Sequence, residues 1–242
     1  RFTEEYGELV LCYDNKTNWR REYFPNYKHG RRKDRKASKL DWGSIFDTLH
    51  LIKQELQDNF PYKVLEVENA EADDIIASVV SYVAQAPSHY EKVLIVSGDK
   101  DFIQLQKHSF VTQYSPTLKK FVNGIDPHAY IKEHILKGDR SDGVPNFLSP
   151  DNCFVDEMRQ RPISKKKMAT WIDLEPEDFC NEEMLRNYQR NRTLIDLEYA
   201  PDEINQACVQ AYLNSTVKNR SGLLNYFIKH RLKNHMENIG DF

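Results

Sequence analysis

The stretch VLIVSGDKDFIQL, from Val93 to Leu105, is the strongest fold signal in the chain. Four apolar residues in a row indicate a buried strand, and the polar residues after them mark its end. Two aspartates one residue apart, Asp99 and Asp101, follow this end directly. Two like charges this close repel and raise each other's pKa. We therefore expect a cation between them, with Asp101 as the N-cap of a helix over FIQLQ as the alternative.

Strand and helix patterns alternate along the first half of the chain. Strand patterns cover residues 7–14, 62–68, 92–97, 110–115 and 118–122. Helical patterns cover residues 41–60, 70–85 and 126–136, and then 181–197 and 221–239. This order predicts an α/β fold with a largely parallel central sheet flanked by helices. We expect an α/β domain over residues 1–136 and a helical part over residues 137–242.

The pattern over residues 41–60 is typical of an amphipathic helix. Asp41 stands at the N-cap position, and Pro61 follows the last helical residue. The apolar residues recur at helical spacing: Ile45, Leu49, Ile52 and Leu56.

The composition is that of a soluble globular protein. The chain has 242 residues, of which 40% are hydrophobic and 29% charged, enough for one large or two smaller domains. No apolar run approaches the roughly 20 residues that cross a bilayer, and no secretory signal is visible. The cysteines are widely spaced and form no CxxC pair: Cys12, Cys153, Cys180 and Cys208. This spacing argues against a disulfide framework or a zinc site and suits a reducing intracellular compartment.

A strongly basic segment follows the first strand, although the net charge of the whole chain is only −3. Residues 16–39 hold ten Lys or Arg against two acids, Glu22 and Asp34. Aromatic residues are interleaved with them: Trp19, Tyr23, Phe24 and Tyr27. Basic side chains attract phosphates and aromatic rings stack on unpaired bases, so this segment predicts nucleic-acid binding. The alternative is a solvated, mobile charged loop.

Acidic side chains follow the predicted strands and open the elements after them. The eight carboxylates are Asp14, Glu71, Asp73, Asp74, Asp99, Asp101, Asp139 and Asp142. Taken singly, they could be helix-dipole acids, caps or turn residues. Ligands of open α/β sheets, however, bind at the carboxyl ends of the strands, where we expect these carboxylates to converge. Converging carboxylates require cations, and their oxygen atoms suit Mg²⁺ or Mn²⁺.

Four motifs in this order resemble one family. CYDN (12–15), NAEADDIIA (69–77), SGDKDFIQL (97–105) and LKGDRSDGVPN (136–146) resemble the 5′ nuclease family of flap endonucleases and polymerase-associated 5′→3′ exonucleases. RREYFPNYKHGR (20–31) is similar to the basic gateway segment of that family, here about residues 16–40. NRTLIDLEYAPDEI (191–204) is similar to the subgroup of ribonucleases H from T-even-type bacteriophages.

The resemblance implies roles for individual residues. Asp14, Asp73 and Asp99 would serve one metal ion, with Glu71 and Asp74 in support. Asp101, Asp139 and Asp142 would serve a second ion. Lys28 would contact the scissile phosphate, assisted by Arg20 or Arg21. The residues expected to bind nucleic acid are Arg20, Arg21, Lys28, Arg31, Arg32, Lys33, Lys165 and Lys166.

The resemblance also implies an activity. It predicts a structure-directed hydrolase that acts on 5′ ends of RNA–DNA hybrids, DNA duplexes and 5′ flaps, with two Mg²⁺ or Mn²⁺ ions. Removal of lagging-strand RNA primers in phage replication would be its task, in the cytoplasm of the host cell. We expect a monomer that meets replication proteins such as a sliding clamp or a single-strand-binding protein.

Two departures from the family pattern are visible. The family has a further aspartate on a strand before the one that leads to Asp14, and we expect that strand to be missing here. The helical part should carry a helix–turns–helix motif that grips duplex DNA, but SDGVPNFLSPDN (141–152) lacks the usual glycine pair. The nearby RQRPISKKK (159–167), with Lys165 and Lys166, could supply duplex contacts instead or be a surface loop.

Two other function classes stay open. Aspartates spaced by one residue also occur in small-molecule phosphohydrolases, but those usually continue with Gly and Thr where this chain has Phe102 and Ile103. A non-catalytic nucleic-acid-binding protein that keeps the fold is the other alternative. The eight histidines form no HExxH motif or close pair and suggest no side-chain base.

Overall fold

The strands form two small sheets. The structure, a computed structural model, describes residues 2–85 and 92–242. In these ranges the strands are β1 (Val10–Tyr13), β2 (Lys63–Glu66), β3 (Val93–Val96), β4 (Val111–Ser115) and β5 (Lys120–Val122). The β1–β2 and β3–β4 pairs are parallel, and β4–β5 is antiparallel. The largely parallel pairing confirms the predicted α/β class, with two separate sheets in place of one.

Helices make up most of the remaining structure. They are α1 (Thr3–Tyr6), α2 (Trp19–Tyr23), α3 (His29–Ala37), α4 (Trp42–Asn59), α5 (Ala72–Gln85), α6 (Pro127–Lys137), α7 (Lys165–Ile172), α8 (Pro176–Phe179), α9 (Glu182–Ile195), α10 (Asp202–Asn214), α11 (Leu223–Lys229) and α12 (Lys233–Glu237). Short 3₁₀ helices cover Lys100–Lys107, Leu197–Tyr199, Arg220–Gly222 and Ile239–Asp241. Within the described ranges, no helix is long and apolar enough to cross a bilayer.

Helix α5 packs against both sheets. Ile75 lies in a cluster with Leu65 of β2 and Cys208 of α10. One to two turns later, Val80 packs with Ile95 of β3 and Phe102. Each fully buried Leu, Ile, Val or Phe side chain contributes about 1.5–3 kcal/mol. This burial fixes the start of α5 relative to the ends of β1 and β3. Because α10 packs on α5, the helical part shares a core with the sheets, and a boundary at residue 136 stays a prediction.

Helix α4 begins where the sequence predicted, but its apolar face is not buried as that of an amphipathic helix usually is. The Asp41 carboxylate accepts a hydrogen bond from the Ser44 amide at 3.1 Å, as an N-cap does. No residue of α4 is buried, and Leu49 is 49% exposed. Only the C-terminal end meets a core, where Phe60 packs with Phe227 of α11. The periodicity of the sequence therefore identified the apolar face of α4 without any element that covers it.

Two local predictions were wrong. The N-cap after β3 is Asp99, which accepts a hydrogen bond from the Asp101 amide at 3.0 Å, so Asp101 lies inside a 3₁₀ helix and does not cap it. The helical pattern over residues 221–239 is broken after α11, where Arg231 has a φ of 54°. A residue in this left-handed conformation cannot continue a right-handed helix.

The helix–turns–helix motif is not confirmed. Residues 138–164 contain turns and an isolated bridge but no helix, and α7 begins only at Lys165. Side chains of α9 hold the backbone of this stretch, as described below.

Candidate active site

The end of β1 is tied to the start of α5. Asp14 follows β1 directly, and its Oδ1 accepts a hydrogen bond from the Ala72 amide at 2.9 Å. The first amides of a helix lack partners within the helix, so a carboxylate is favoured there. This contact brings Asp14 beside Asp73, in the first turn of α5.

A second group of carboxylates surrounds Asp73. Burial raises the pKa of Asp73, and the neighbouring Asp99, Glu71 and Asp101 raise it further, to about 7. The structure therefore brings the end of β3 close to the start of α5, as the strand order predicted. In the described residues neither Asp73 nor Asp99 forms an ion pair with a basic side chain. A cation bound beside this pair would therefore relieve the repulsion between the two carboxylates.

The acidic hairpin, residues 138–144, supplies two further carboxylates. The Val144 amide donates to the Asp139 carbonyl at 2.7 Å and closes the hairpin. The Asp139 carboxylate accepts hydrogen bonds from the Ser141 amide and hydroxyl, both at 2.7 Å. Gly138 has a φ of 68°, and a Cβ there would lie 2.4 Å from the Val144 carbonyl oxygen. Only glycine fits, and the hairpin holds Asp139 and Asp142 in a fixed turn.

Tyr27 links two of these groups. Its hydroxyl lies 2.9 Å from Glu71 Oε2 and 2.8 Å from Asp142 Oδ2. Burial, and after it the Glu71 carboxylate, raises the pKa of Tyr27, so the hydroxyl keeps its proton. The expectation that Tyr27 stacks on a base was wrong, because its side chain is buried between carboxylates and cannot contact a base.

The Arg20 side chain is buried and paired with acidic side chains. Its guanidinium donates to both carboxylate oxygens of Asp74 at 2.8 and 2.9 Å, and it is 3.2 Å from Glu71. Asp74 also accepts from the Trp19 indole, and Arg20 donates to the Leu194 carbonyl. Arg20 is 2% exposed and Asp74 0%.

The placement of Arg20 and Asp74 corrects two expectations. A phosphate cannot reach the buried guanidinium, and both Asp74 oxygens are already used by Arg20. Such a paired buried charge is expensive to break, because removing one partner leaves the other charge unpaired inside the protein. We therefore assign this pair a structural role beneath the site rather than phosphate or metal binding.

Lys28 was expected to bind the scissile phosphate, but in this structure its ammonium group is bonded to carboxylates. It contacts Glu71 Oε1 and lies 3.6 Å from Asp142 Oδ2. The Lys28 amide also donates to the Asp142 carbonyl at 2.7 Å, and the side chain is only 9% exposed. Burial alone would raise the pKa of Glu71, but the charges of Lys28 and Arg20 outweigh it and lower that pKa. Glu71 is thus neutralised by the protein itself.

His134 is the site residue that the sequence did not reveal. On α6, its Nδ1 lies 3.3 Å from Asp101 Oδ1 and its Nε2 3.5 Å from Asp139 Oδ2. Burial lowers the pKa of His134, but its close contacts with these two carboxylates outweigh burial and raise the pKa to about 9. A lone histidine without a ligand motif carries no signal in one sequence. Only the packing of α6 against the 3₁₀ helix shows its partners.

Six of these side chains line one narrow cleft. Its polar lining consists of Arg20, Tyr27, Asp73, Asp101, Asp139 and Asp142. The four aspartates of this lining offer carboxylate oxygens as metal ligands, and such oxygens suit a hard divalent cation. Over residues 2–85 and 92–242, however, no three His, Cys, Asp or Glu side chains are placed to hold one metal ion together. Lys28, Arg20 and His134 pair with several of the carboxylates, which leaves Asp73 and Asp99 as the donors best able to accept a metal ion.

The other basic residues lie on exposed surface. Arg21 is exposed on α2, and Arg31 of α3 is 2.7 Å from Asp142 Oδ1. Lys33 is exposed and pairs with Glu157 at 2.7 Å. The Arg32 side chain lies outside the described residues. Two further lysines are exposed at the start of α7: Lys165 and Lys166.

In the metal-free protein, we expect Asp73→Asn to raise stability near neutral pH. The pKa of Asp73 is about 7 in the folded state against 3.8 ordinarily. Folding therefore takes up a proton, and the resulting stability is complete below about pH 4 and lost as pH rises through about 7. Asparagine does not ionise, so the variant should gain about 2 kcal/mol at about pH 8 and nothing at about pH 4.

Urea unfolding in chelator at both pH values measures this effect. Asp47→Asn, at an exposed position of α4, is the matched control and should be neutral at both. Equal gains for Asp73→Asn at the two pH values would show that burial and the neighbouring carboxylates do not raise the pKa of Asp73.

Two family matches cover the chain. Residues 2–135 match the family described as 5′-3′ exonuclease, N-terminal resolvase-like domain. Residues 126–242 match the family described as T4 RNase H, C terminal. The ribonuclease H of Enterobacteria phage T4 is 34% identical over 246 residues, which cover 98% of this chain and 80% of that protein.

Solved structures from bacteriophage T5 share the fold. A T5 5′-exonuclease with bound divalent zinc ions has a TM-score of 0.57 at 18% identity, over 88% of this chain and 87% of that one. The T5 flap endonuclease in a complex with DNA and metal ions has a TM-score of 0.54 at 18% identity, over 87% and 79%. The matched domains and the identity to the T4 enzyme show that the chain belongs to the 5′-3′ exonuclease family of structure-specific 5′ nucleases.

Proposed function

We propose that the chain is a divalent-metal-dependent 5′→3′ nuclease that hydrolyses phosphodiesters at the 5′ ends of RNA–DNA hybrids, DNA duplexes and 5′ flaps. The observation that carries this proposal is the cleft shared by Asp73, Asp101, Asp139 and Asp142. A phosphodiester is an anion, and such a cleft would repel it unless cations were bound there. The basic helix α3, whose Arg31 contacts Asp142, supplies attraction for the rest of the backbone.

The metal ligands in this proposal differ from those that the resemblance implied. Asp73 and Asp99 would hold one Mg²⁺ or Mn²⁺ ion, with Asp14, hydrogen-bonded to the start of α5, in support. Asp101, Asp139 and Asp142 would serve a second ion partly through water, since these three side chains are not placed to hold one ion together by themselves. When bound, such ions stabilise the charge that develops on the attacking and leaving oxygens of a phosphodiester. Glu71 and Asp74 act instead by holding Lys28 and Arg20.

The residues of the chain perform the remaining tasks. Lys28 presents an ammonium group beside Asp142, where it can pair with a phosphate that displaces one of its carboxylate contacts. Tyr27 keeps Glu71 and Asp142 at a fixed separation. His134 neutralises Asp101 and Asp139 in the absence of a metal ion, and we expect it to release them when the ion binds.

The nucleic acid follows the exposed basic residues. Arg21, Arg31, Arg32 and Lys33 receive the strand at its 5′ end. Lys165 and Lys166 contact the backbone of the duplex, because lysine binds phosphates without reading sequence. The T5 flap endonuclease with the same fold forms a complex with DNA, which supports this class of substrate.

The biological role follows from the kinship with phage T4 ribonuclease H. We infer removal of lagging-strand RNA primers, by a monomer in the cytoplasm of the infected cell. A sliding clamp or a single-strand-binding protein is the proposed partner.

Cleavage of a labelled 5′-flap oligonucleotide tests the proposal. We expect cleavage with Mn²⁺ or Mg²⁺, a product with a 5′-phosphate, and none with chelator. Binding of the flap without cleavage in either metal would favour a non-catalytic nucleic-acid-binding protein. Hydrolysis of p-nitrophenyl phosphate in place of the flap would favour a small-molecule phosphohydrolase.

A further inference from the structure

Helix α9 buries three polar side chains on one face, which is unusual for a helix that packs against a core. They are Asn187, Arg190 and Asn191, and Asn191 is 0% exposed. Positions i, i+3 and i+4 of a helix lie on the same side, so all three point at the same neighbouring segment. Buried polar groups are costly unless they are hydrogen-bonded, so their partners indicate what the face is for.

Asn191 joins the two ends of the acidic hairpin. Its Nδ2 donates to the Ile135 carbonyl at 2.8 Å and to the Pro145 carbonyl at 2.9 Å. Ile135 lies in the last turn of α6, just before the hairpin, and Pro145 follows its last residue. One amide group therefore holds both chain ends of the segment that carries Asp139 and Asp142.

Arg190 strengthens the same attachment. Its Nη2 donates to the Pro145 carbonyl at 2.8 Å, and its Nη1 donates to Asp151 Oδ1 at 2.6 Å. Its Nε donates to Asn191 Oδ1 at 2.9 Å, which fixes the orientation of that amide. The guanidinium is thus fully used in holding backbone and carboxylate oxygens, and none of its donors faces the cleft.

The acidic hairpin in turn determines where Asp139, Asp142 and Lys28 lie. The Asp142 carbonyl accepts a hydrogen bond from the Lys28 amide, so the hairpin also fixes the start of α3. A Cβ on Gly143 would lie 2.9 Å from the Asn26 carbonyl oxygen, which shows how closely the two segments approach. A shift at the hairpin base would therefore move both carboxylates and Lys28.

We propose that Asn191 and Arg190 are positioning residues that clamp the base of the acidic hairpin and so set the geometry of the second metal site. This inference rests on the proposed function. Neither residue touches the cleft, and both act through the backbone of residues 135–145. Partners that orient metal ligands typically change metal affinity by about 10- to 100-fold when they are removed.

Asn191→Leu is the test variant, and Asn187→Leu is its matched control. Leucine has a similar volume and removes both donors from the hairpin ends. Asn187 has the same residue type and helix face, but it donates to the Ser149 carbonyl, outside the hairpin, and its Oδ1 lies 3.5 Å from Arg190 Nη1, the longest of the Arg190 hydrogen bonds. We expect Asn191→Leu to weaken Mn²⁺ binding by about 10- to 100-fold. Asn187→Leu should retain wild-type affinity even where its melting temperature falls equally. Equal Mn²⁺ affinities for the two variants would overturn the clamp.

Amide hydrogen exchange in chelator tests the clamp without metal. The Val144 amide, bonded inside the hairpin, should lose protection in Asn191→Leu while amides of α5 change only with global stability. Unchanged relative protection of Val144 would overturn the inference. Failure of the proposed function is separate: wild-type protein and Asp142→Asn would then bind Mn²⁺ equally, and hydrogen exchange alone would decide the clamp.

Discussion

Asp99→Asn is expected to abolish cleavage of a 5′-flap substrate while flap binding stays equal or becomes tighter. Asp99 belongs to the carboxylate pair that the protein leaves without a cation, and its charge helps raise the pKa of Asp73. Asparagine removes one charged metal donor, which is worth several kcal/mol in such sites, or at least about 10³-fold in rate. Loss of one negative charge near the nucleic acid does not weaken binding.

The fold should tolerate this change. Asp99 caps the 3₁₀ helix by accepting from the Asp101 amide, and asparagine caps equally well. Asp126→Asn is the matched control, because Asp126 caps α6 in the same way by accepting from the His128 amide at 3.0 Å. Single-turnover cleavage and gel-shift titration measure the two effects. Retained turnover in Asp99→Asn would remove Asp99 from the metal site.

Lys28→Ala is expected to lower turnover far more than flap affinity. The Lys28 ammonium lies against Glu71 and Asp142, and we propose that it contacts the scissile phosphate. Removal of one such charged donor typically costs about 10²- to 10³-fold in turnover. Affinity depends on many phosphate contacts, and eight other Lys and Arg of residues 16–39 remain besides the buried Arg20.

Lys33→Ala, five residues further along, gives the contrast. Lys33 is exposed and pairs with Glu157 rather than with a cleft carboxylate. We expect this variant to lose a little affinity and some salt dependence but to keep its turnover. If Lys28→Ala and Lys33→Ala both changed affinity alone, Lys28 would only attract the strand and would not act in the cleft.

The positions of the carboxylates could be predicted from the sequence because strand ends are visible in it. One apolar run ends shortly before Asp99 and another before Asp14, so both strand ends can be located from the sequence. The helix that starts near Asp73 follows from its helical periodicity. These are local patterns, and the structure brings Asp73 and Asp99 close together as expected.

The partners of those carboxylates could not be predicted, because they depend on contacts between distant segments. Arg20 belongs to a basic run that predicts phosphate binding, yet it pairs with Asp74, 54 positions away. His134 pairs with Asp101 only because α6 lies on the 3₁₀ helix. The exposed face of α4 is a similar case, since helical spacing identifies an apolar face but not what covers it.

Anomalous diffraction from a crystal of the protein soaked in Mn²⁺ tests the shared metal site most directly. We expect a manganese peak in the cleft, about 2.1 Å from carboxylate oxygens of both Asp73 and Asp99. A second peak should lie beside Asp101, Asp139 and Asp142. Manganese bound only at other carboxylates, with the cleft empty and Lys28 still bonded to Glu71, would contradict a metal-dependent nuclease.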